Sequence, residues 1–453
     1  QIFLMEYLEE CKMENSKKMS VTQLIIITAV NMMGSGIIML PSKLAQVGGL
    51  SIVSWLVTAV GSMLLAYAFA KCGMYSKNPG GMSGYAEYPF GKGGNFLCGY
   101  TYGVSLVIAN VAIAISAVGY GSQFFGMELS PVMTAVATIA VIWITTLPNF
   151  GGPSITGKIG SITVWGVIIP VLVISTVGWF FFSGDMYAAN WNVNNMPFGE
   201  AATNSITMTL WSFLGLESAC ANADAVENPE QAVPKAVMFA TALCAVVYIA
   251  STNVMFGMLP AQEIVESSAP FGLAYAHMFG PAVGKVVMGL MTLACLGSLL
   301  GWQFTVPNIF KAMADEDFIP KAFAATNGAG APYKGMFILG AIQTLLAFST
   351  ISPSLNEQFE VLVNLATITN LVPYILCMSA VKIIMVCAGK GDELGMPMIA
   401  ATLGTIYSLY ACYACGFDAC TYGALVTFAG WQFYGYISPR YDYERNMEAH
   451  KAA

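Results

Sequence analysis

The chain has 453 residues, 57% of them hydrophobic and only 9% charged, with a formal net charge of −7 and a mean hydropathy of +0.66. A soluble chain of this length carries roughly 25% charged residues. These numbers exclude a soluble multidomain enzyme and describe a protein that crosses a membrane many times. An acidic balance without any polybasic segment gives no footing for a nucleic-acid partner.

In chain order, residues 1–18 mix Glu6, Glu9, Glu10 and Glu14 with Lys12, Lys17 and Lys18 and read as a cytosolic N-terminal tail. A cleavable leader needs a basic start, a short apolar core and a small-residue cleavage site instead. Twelve apolar runs long enough to span a bilayer follow, at 21–46, 50–73, 95–123, 131–149, 159–182, 202–222, 235–259, 283–309, 335–352, 357–384, 397–415 and 418–437. Residues 262–281 read as a shorter amphipathic helix on the outer face, and 438–453 as a second cytosolic tail. If both tails and the loops after even-numbered spans share one side, that side holds all of the 18 basic residues except Lys43 and Lys285. Lysine and arginine mark the cytoplasmic side, so both termini face the cytoplasm and the number of spans is even. The eleven cysteines lie mostly in apolar runs, and Cys412 and Cys415 form a CxxC with no histidine near it. They read as small packing residues, not as a disulfide framework or a metal site, and no cofactor is implied.

Two spans carry features that a lipid-buried helix avoids. Gly34-Ser35-Gly36 lies near the middle of span 1, where weak helix formers interrupt a segment that must satisfy its own backbone. Ser212-Phe213-Leu214-Gly215-Leu216-Glu217-Ser218 holds the second such place, five spans later. An odd offset inverts the topology of the second copy. The pattern is a 5+5 inverted repeat, with spans 1–5 over 19–182, spans 6–10 over 202–384 and two added spans over 397–437. Glu217 is the one of 25 acidic residues that sits well inside an apolar run. A charge at the centre of a membrane helix costs roughly 2.5–3.5 kcal/mol on insertion scales and marks a functional site by default. Backbone N–H groups at a broken helix can hold a carboxylate, and its freed C=O groups an ammonium.

Enzyme motifs fail on their own chemistry. Gly81-Met82-Ser83-Gly84 fits the GxSG of rhomboid proteases, but the only histidines are His277, in an outer segment, and His450, in a tail. Gly152 to Lys158 approaches a phosphate-binding loop, yet Ile159 stands where Ser or Thr must hold magnesium. A channel is usually an oligomeric pore or a ring of like residues, which one acidic residue at a helix break does not supply.

The stretches "VNMMGSGIIMLP" (30–41), "ANVAIAISAVGYG" (109–121), "SITVWGVIIP" (161–170), "LWSFLGLESACANADAVENPE" (210–230), "GSLLGWQFT" (297–305) and "TISPSLNEQF" (350–359) resemble the amino acid–polyamine–organocation (APC) superfamily. Within it they are most similar to the bacterial basic amino acid/polyamine antiporters of the putrescine–ornithine kind. The resemblance covers about 17–442 and implies an all-α LeuT-like fold of twelve spans with discontinuous helices 1 and 6. It also implies exchange of putrescine for ornithine across a bacterial inner membrane, with proton-coupled putrescine uptake as a second mode and a homodimer as a candidate assembly. Lysine–cadaverine and arginine–agmatine exchange stay open on the same scaffold. By resemblance, Ser35 and Gly36 match the backbone site for a carboxylate and Asn110 a polar contact on span 3. Trp211 matches the gating aromatic on span 6. Glu217 matches the acid that faces the amine and is the candidate proton carrier. Trp302 matches the aromatic over the aliphatic chain. Glu87, placed by this reading in the loop after span 2, and Tyr102 and Tyr434 match secondary or gating residues of the polyamine exchangers.

Overall fold

The computed structural model describes residues 20–33, 36–78, 80–152, 159, 162–217, 228–349, 351–352, 354–441, 443 and 447. Ser35, the N-terminal tail and most of the 152–158 loop lie outside the described residues, as does most of the C-terminal tail. Among the described residues all regular structure is helical. The α-helices in order are α1 (Val21–Met33), α2 (Leu40–Leu44), α3 (Ile52–Tyr75), α4 (Met82–Phe125), α5 (Pro131–Thr146), α6 (Trp165–Val177), α7 (Gly184–Ala189) and α8 (Phe198–Trp211). Then come α9 (Pro229–Phe256), α10 (Ala261–Glu266), α11 (Pro270–Phe279), α12 (Pro281–Asp315), α13 (Tyr333–Ser349), α14 (Leu355–Cys387), α15 (Gly395–Ala414) and α16 (Phe417–Ile437).

Among the described residues, six helices are long and apolar enough to cross a membrane singly, and α15 and α16 qualify as a pair bent by 115°. The molecule is built with its polarity reversed from that of a soluble domain. On α13, Phe337, Ile342 and Leu345 are exposed, whereas Gln343 is fully buried. Large apolar side chains outward and amides inward is what a hydrocarbon solvent selects. Of the apolar stretch of α4, 83% is buried, against 33% for Pro131–Gly151. The former is therefore a central helix and the latter a peripheral one. Hydroxyls join α3 to α8 at two successive turns, through Ser54–Ser205 at 2.7 Å and Thr58–Thr209 at 2.6 Å. The i, i+4 spacing on both helices puts each pair on one facing stripe.

Two expectations need correction. The segment 262–281 is not one amphipathic helix: α10 ends at Glu266 and α11 starts at Pro270. Proline fits the first turn of a helix but disfavours helical geometry at the residue before it. Glu87 is not in a loop either. It lies on α4, which begins at Met82 and turns at Gly91 (φ 62°) before continuing to Phe125.

One tie closes the end of the molecule where α2 meets α14. Lys43, with only 5% of its side chain exposed, lies 2.6 Å from Glu360, whose side chain is 40% exposed. Ser42 donates to the Ser267 carbonyl at 2.7 Å beside it. The partners are unequally buried, so the two deletions are expected to differ. Glu360→Ala strands a buried ammonium, with a loss of about 1–3 kcal/mol. Lys43→Met leaves a carboxylate that water solvates. Thermal midpoints of the two variants in detergent check this order, and equal midpoints refute it.

Candidate functional site

Both expected interruptions are present. Helix α1 is described as far as Met33, Gly34 and Ser35 lie outside the described residues, and Gly36–Met39 form turns before α2. Helix α8 stops at Trp211, and residues 212–217 form turns. The two breaks pack into one another. A Cβ on Gly36 would lie 3.3 Å from Ser212 Cα, and one on Gly215 would lie 3.1 Å from the Asn31 carbonyl oxygen. Gly215 itself has φ +106°, a conformation that L side chains rarely adopt. Glycine at both contacts is what lets two backbones meet.

Some of the carbonyls released by the breaks are satisfied by buried tyrosines. Tyr120 donates to Ile38 O at 2.9 Å and accepts from the Phe271 amide at 3.3 Å. Tyr248 donates to Ser212 O at 3.0 Å. Neither residue is singled out by the sequence reading. The available signal was a phenol inside an apolar span, whose hydroxyl must find a partner when buried.

Glu217 sits where the second break meets α4 and α14 and is 7% exposed. Oε1 accepts from the Tyr102 hydroxyl at 3.1 Å. Oε2 accepts from the Tyr374 hydroxyl at 2.6 Å and from the Gly215 amide at 3.1 Å. Tyr374 is another contributor the sequence did not disclose. Three donors on two oxygens suit a carboxylate, which only accepts. No basic side chain forms an ion pair with it among the described residues. It is a buried acid with hydrogen-bond donors and no counter-charge.

A cavity of about 60 Å³ lies beside it, lined by Gly36, Asn110, Trp211, Gly215, Glu217 and Trp302, among others. Three buried polar atoms of lining residues have no partner among the described residues: the acceptor Asn110 Oδ1 and the donors Trp211 Nε1 and Asn370 Nδ2. A vestibule of about 680 Å³ shares Asn31, Glu217, Ser298 and Trp302 with the cavity and adds Tyr102 and the Gly80–Ser83 segment. Gly80 and Lys43 flank opposite ends of α3, whose 24 residues span about 36 Å. The vestibule therefore lies toward the end opposite the Lys43–Glu360 tie.

Gly36, Tyr102, Asn110, Trp211, Glu217 and Trp302 are thus brought together. Glu87 and Tyr434 are not among the residues that line either space. Glu87 accepts from Asn95 Nδ2 at 2.6 Å and pairs with Lys92 at 3.0 Å. Tyr434 is buried against Phe96, with ring centroids 5.4 Å apart. Tyr434 packs where α16 meets α4, whereas the partners of Glu87 lie on α4 itself.

Comparison with known proteins agrees with this architecture. A family model described as amino acid permease matches residues 19–425. The chain is 59% identical to the putrescine transporter PotE of Escherichia coli K12 over 428 residues, covering 94% of this chain and 98% of that protein. It is 58% identical to the putrescine transporter PotE of Haemophilus influenzae over 431 residues, covering 95% and 99%. The cadaverine/lysine antiporter of Escherichia coli K12 is more distant, 32% identical over 405 residues, covering 88% and 90%. This multi-pass membrane protein belongs to the amino acid permease family.

Proposed function

We propose that this protein is a secondary transporter that exchanges putrescine for ornithine across the bacterial inner membrane by alternating access. The observation that carries the reading is the buried Glu217, without an ion-pair partner among the described residues, at the junction of two interrupted helices and beside a cavity walled by Trp211 and Trp302. An acid of this kind suits a cationic guest as its counter-charge, and indole faces attract the same cation. The names of the relatives at 58–59% identity give the guest as putrescine. Ornithine enters as the exchange partner because the broken backbone at Gly36 can also hold a carboxylate. Ser35, which adjoins it in sequence, belongs to the same proposal.

The scaffold of this reading is LeuT-like. With α15 and α16 taken as two spans, these and the six long helices, the shorter apolar α1, α6 and α13 and the interrupted α8 make the twelve spans of this reading. The distribution of basic residues supports a reading in which both termini, and with them the vestibule at Gly80–Ser83, face the cytoplasm. The vestibule then opens inward, while Lys43–Glu360 ties the outer end. Near neutral pH putrescine carries two positive charges and ornithine one, so each outward exchange of putrescine moves one positive charge out.

The test is counterflow in proteoliposomes loaded with ornithine, lysine, arginine or nothing, following entry of labelled putrescine. Ornithine is expected to drive entry at least tenfold over empty vesicles and above lysine. Equal entry into empty vesicles, rising with an imposed proton gradient, replaces exchange by proton-coupled uptake. Lysine driving entry best assigns the protein to cadaverine-type exchange.

A further inference from the structure

Behind the cavity wall a line of side-chain amides runs away from the cavity through three helices. Asn110 Nδ2 on α4 donates to Gln303 Oε1 on α12 at 3.3 Å. Gln303 Nε2 donates to Gln343 Oε1 on α13 at 2.6 Å. Gln343 Nε2 ends the line on the Val107 carbonyl of α4, at a long 3.5 Å. All three side chains are at most 2% exposed. None of them is charged, so the line is held by direction alone.

The direction of the line has one fixed point. A primary amide can usually be turned end for end without changing its shape. A backbone carbonyl only accepts, so Gln343 must aim its Nε2 at Val107 and its Oε1 at Gln303. Gln303 must then donate outward and offer its Oε1 to Asn110. Asn110 in turn must spend its Nδ2 on Gln303, which leaves Oδ1 for the cavity. Oδ1 is the buried atom without a partner, and Asn110 lines the cavity. Reversing Asn110 would set two carbonyl oxygens against each other at its contact with Gln303.

We propose that Gln343, acting through Gln303, is a specificity-determining positioning residue that fixes Asn110 with its oxygen toward the cavity, so that the site offers an acceptor to an ammonium group. It deepens the proposed function and rests on that reading. The cavity then presents two acceptors of different kinds, the carboxylate of Glu217 and the amide oxygen of Asn110. Both suit the N–H donors of an ammonium group, while the unpartnered donors Trp211 Nε1 and Asn370 Nδ2 of the same lining are left for the acceptor groups of a guest. Gln343 touches no guest itself, since it lies two amides away from the cavity.

The test is a double-mutant cycle read by putrescine counterflow in proteoliposomes. Gln343→Met keeps the volume and removes the anchor, so Gln303 and Asn110 are free to turn. It is expected to raise KM for putrescine about tenfold with the maximal rate within twofold of wild type. Asn110→Ala is expected to raise KM at least as much, and adding Gln343→Met to it is expected to change KM by less than twofold. Gln303→Met cuts the line one link nearer the cavity and is expected to repeat the pattern, which keeps the test available if Gln343→Met does not assemble. A further tenfold loss from either Met variant on the Asn110→Ala background overturns the inference, as does a fall in rate with KM unchanged. Wild-type protein that takes up no putrescine at all overturns the functional reading, and this inference with it. Wild-type exchange with additive variants overturns this inference alone.

Discussion

Glu217→Gln is expected to raise KM for putrescine and for ornithine alike by about 10- to 150-fold while the protein assembles normally. The range corresponds to losing one hydrogen bond to a charged partner, about 1.5–3 kcal/mol. Both guests bring an ammonium to this acid, so both suffer. The scaffold tolerates the change because glutamine is isosteric and its Oε1 can still accept from the Gly215 amide, as Oε2 does at 3.1 Å. Tyr374 stays on that same oxygen, and the NH₂ then meets the Tyr102 hydroxyl, which can rotate to accept. Glu217→Ala separates charge from framework. It strands the Gly215 amide and two phenols without their acceptor, and is expected to lower stability by about 1–3 kcal/mol besides abolishing exchange. Counterflow kinetics beside thermal midpoints in detergent read the two effects apart. Glu217→Gln keeping KM within twofold for both guests would remove the carboxylate from the binding role.

What could be read from the sequence, and what could not, follows from contrast and distance. The two breaks stood out because glycine and an acidic residue are rare against an apolar background, and the structure has turns at Gly36–Met39 and at 212–217 as that contrast implied. The extents of α12, α14, α15 and α16 lie within a few residues of the expected spans except where α12 runs on to Asp315, because lipid enforces long continuous helices. Tyr374 was not legible. It lies 157 residues from Glu217, and a tyrosine in an apolar span carries no mark of its partner. The amide line was hidden for the same reason, with 193 residues between Asn110 and Gln303. The helical start of α4 was misread because Gly80, Gly81, Pro89 and Gly91 all signal loops. In the structure Gly91 serves as the bend itself, so a loop signal became a turn within one element. Glu87 and Tyr434 came from resemblance alone, and their place outside the two cavities, Glu87 bonded within α4 and Tyr434 packed on Phe96, is information only packing supplies.

Gly215→Ala is expected to cut exchange by about 5- to 150-fold, and by more than Gly36→Ala does. Both glycines stand where the two interrupted helices touch, but their backbones differ. A Cβ on Gly36 meets Met32 O at 3.2 Å and Ser212 Cα at 3.3 Å, contacts that a shift of a few tenths of an ångström relieves. Its φ is not in the positive range. Gly215 carries both burdens, a Cβ 3.1 Å from Asn31 O and a φ of +106°. Holding a non-glycine residue in so sparsely populated a region costs about 1–3 kcal/mol, which sets the range given. Relaxing that strain rotates the peptide whose N–H points at Glu217 Oε2, so the carboxylate loses its one fixed donor while the two phenols keep theirs. The expected signature is therefore a loss centred on the Glu217 guests, seen in KM for putrescine counterflow, in protein that still purifies as an assembled transporter. Equal losses from the two alanine variants would mean that close approach of the breaks matters and the backbone conformation at Gly215 does not. A larger loss at Gly36 would place the critical contact on the first break instead.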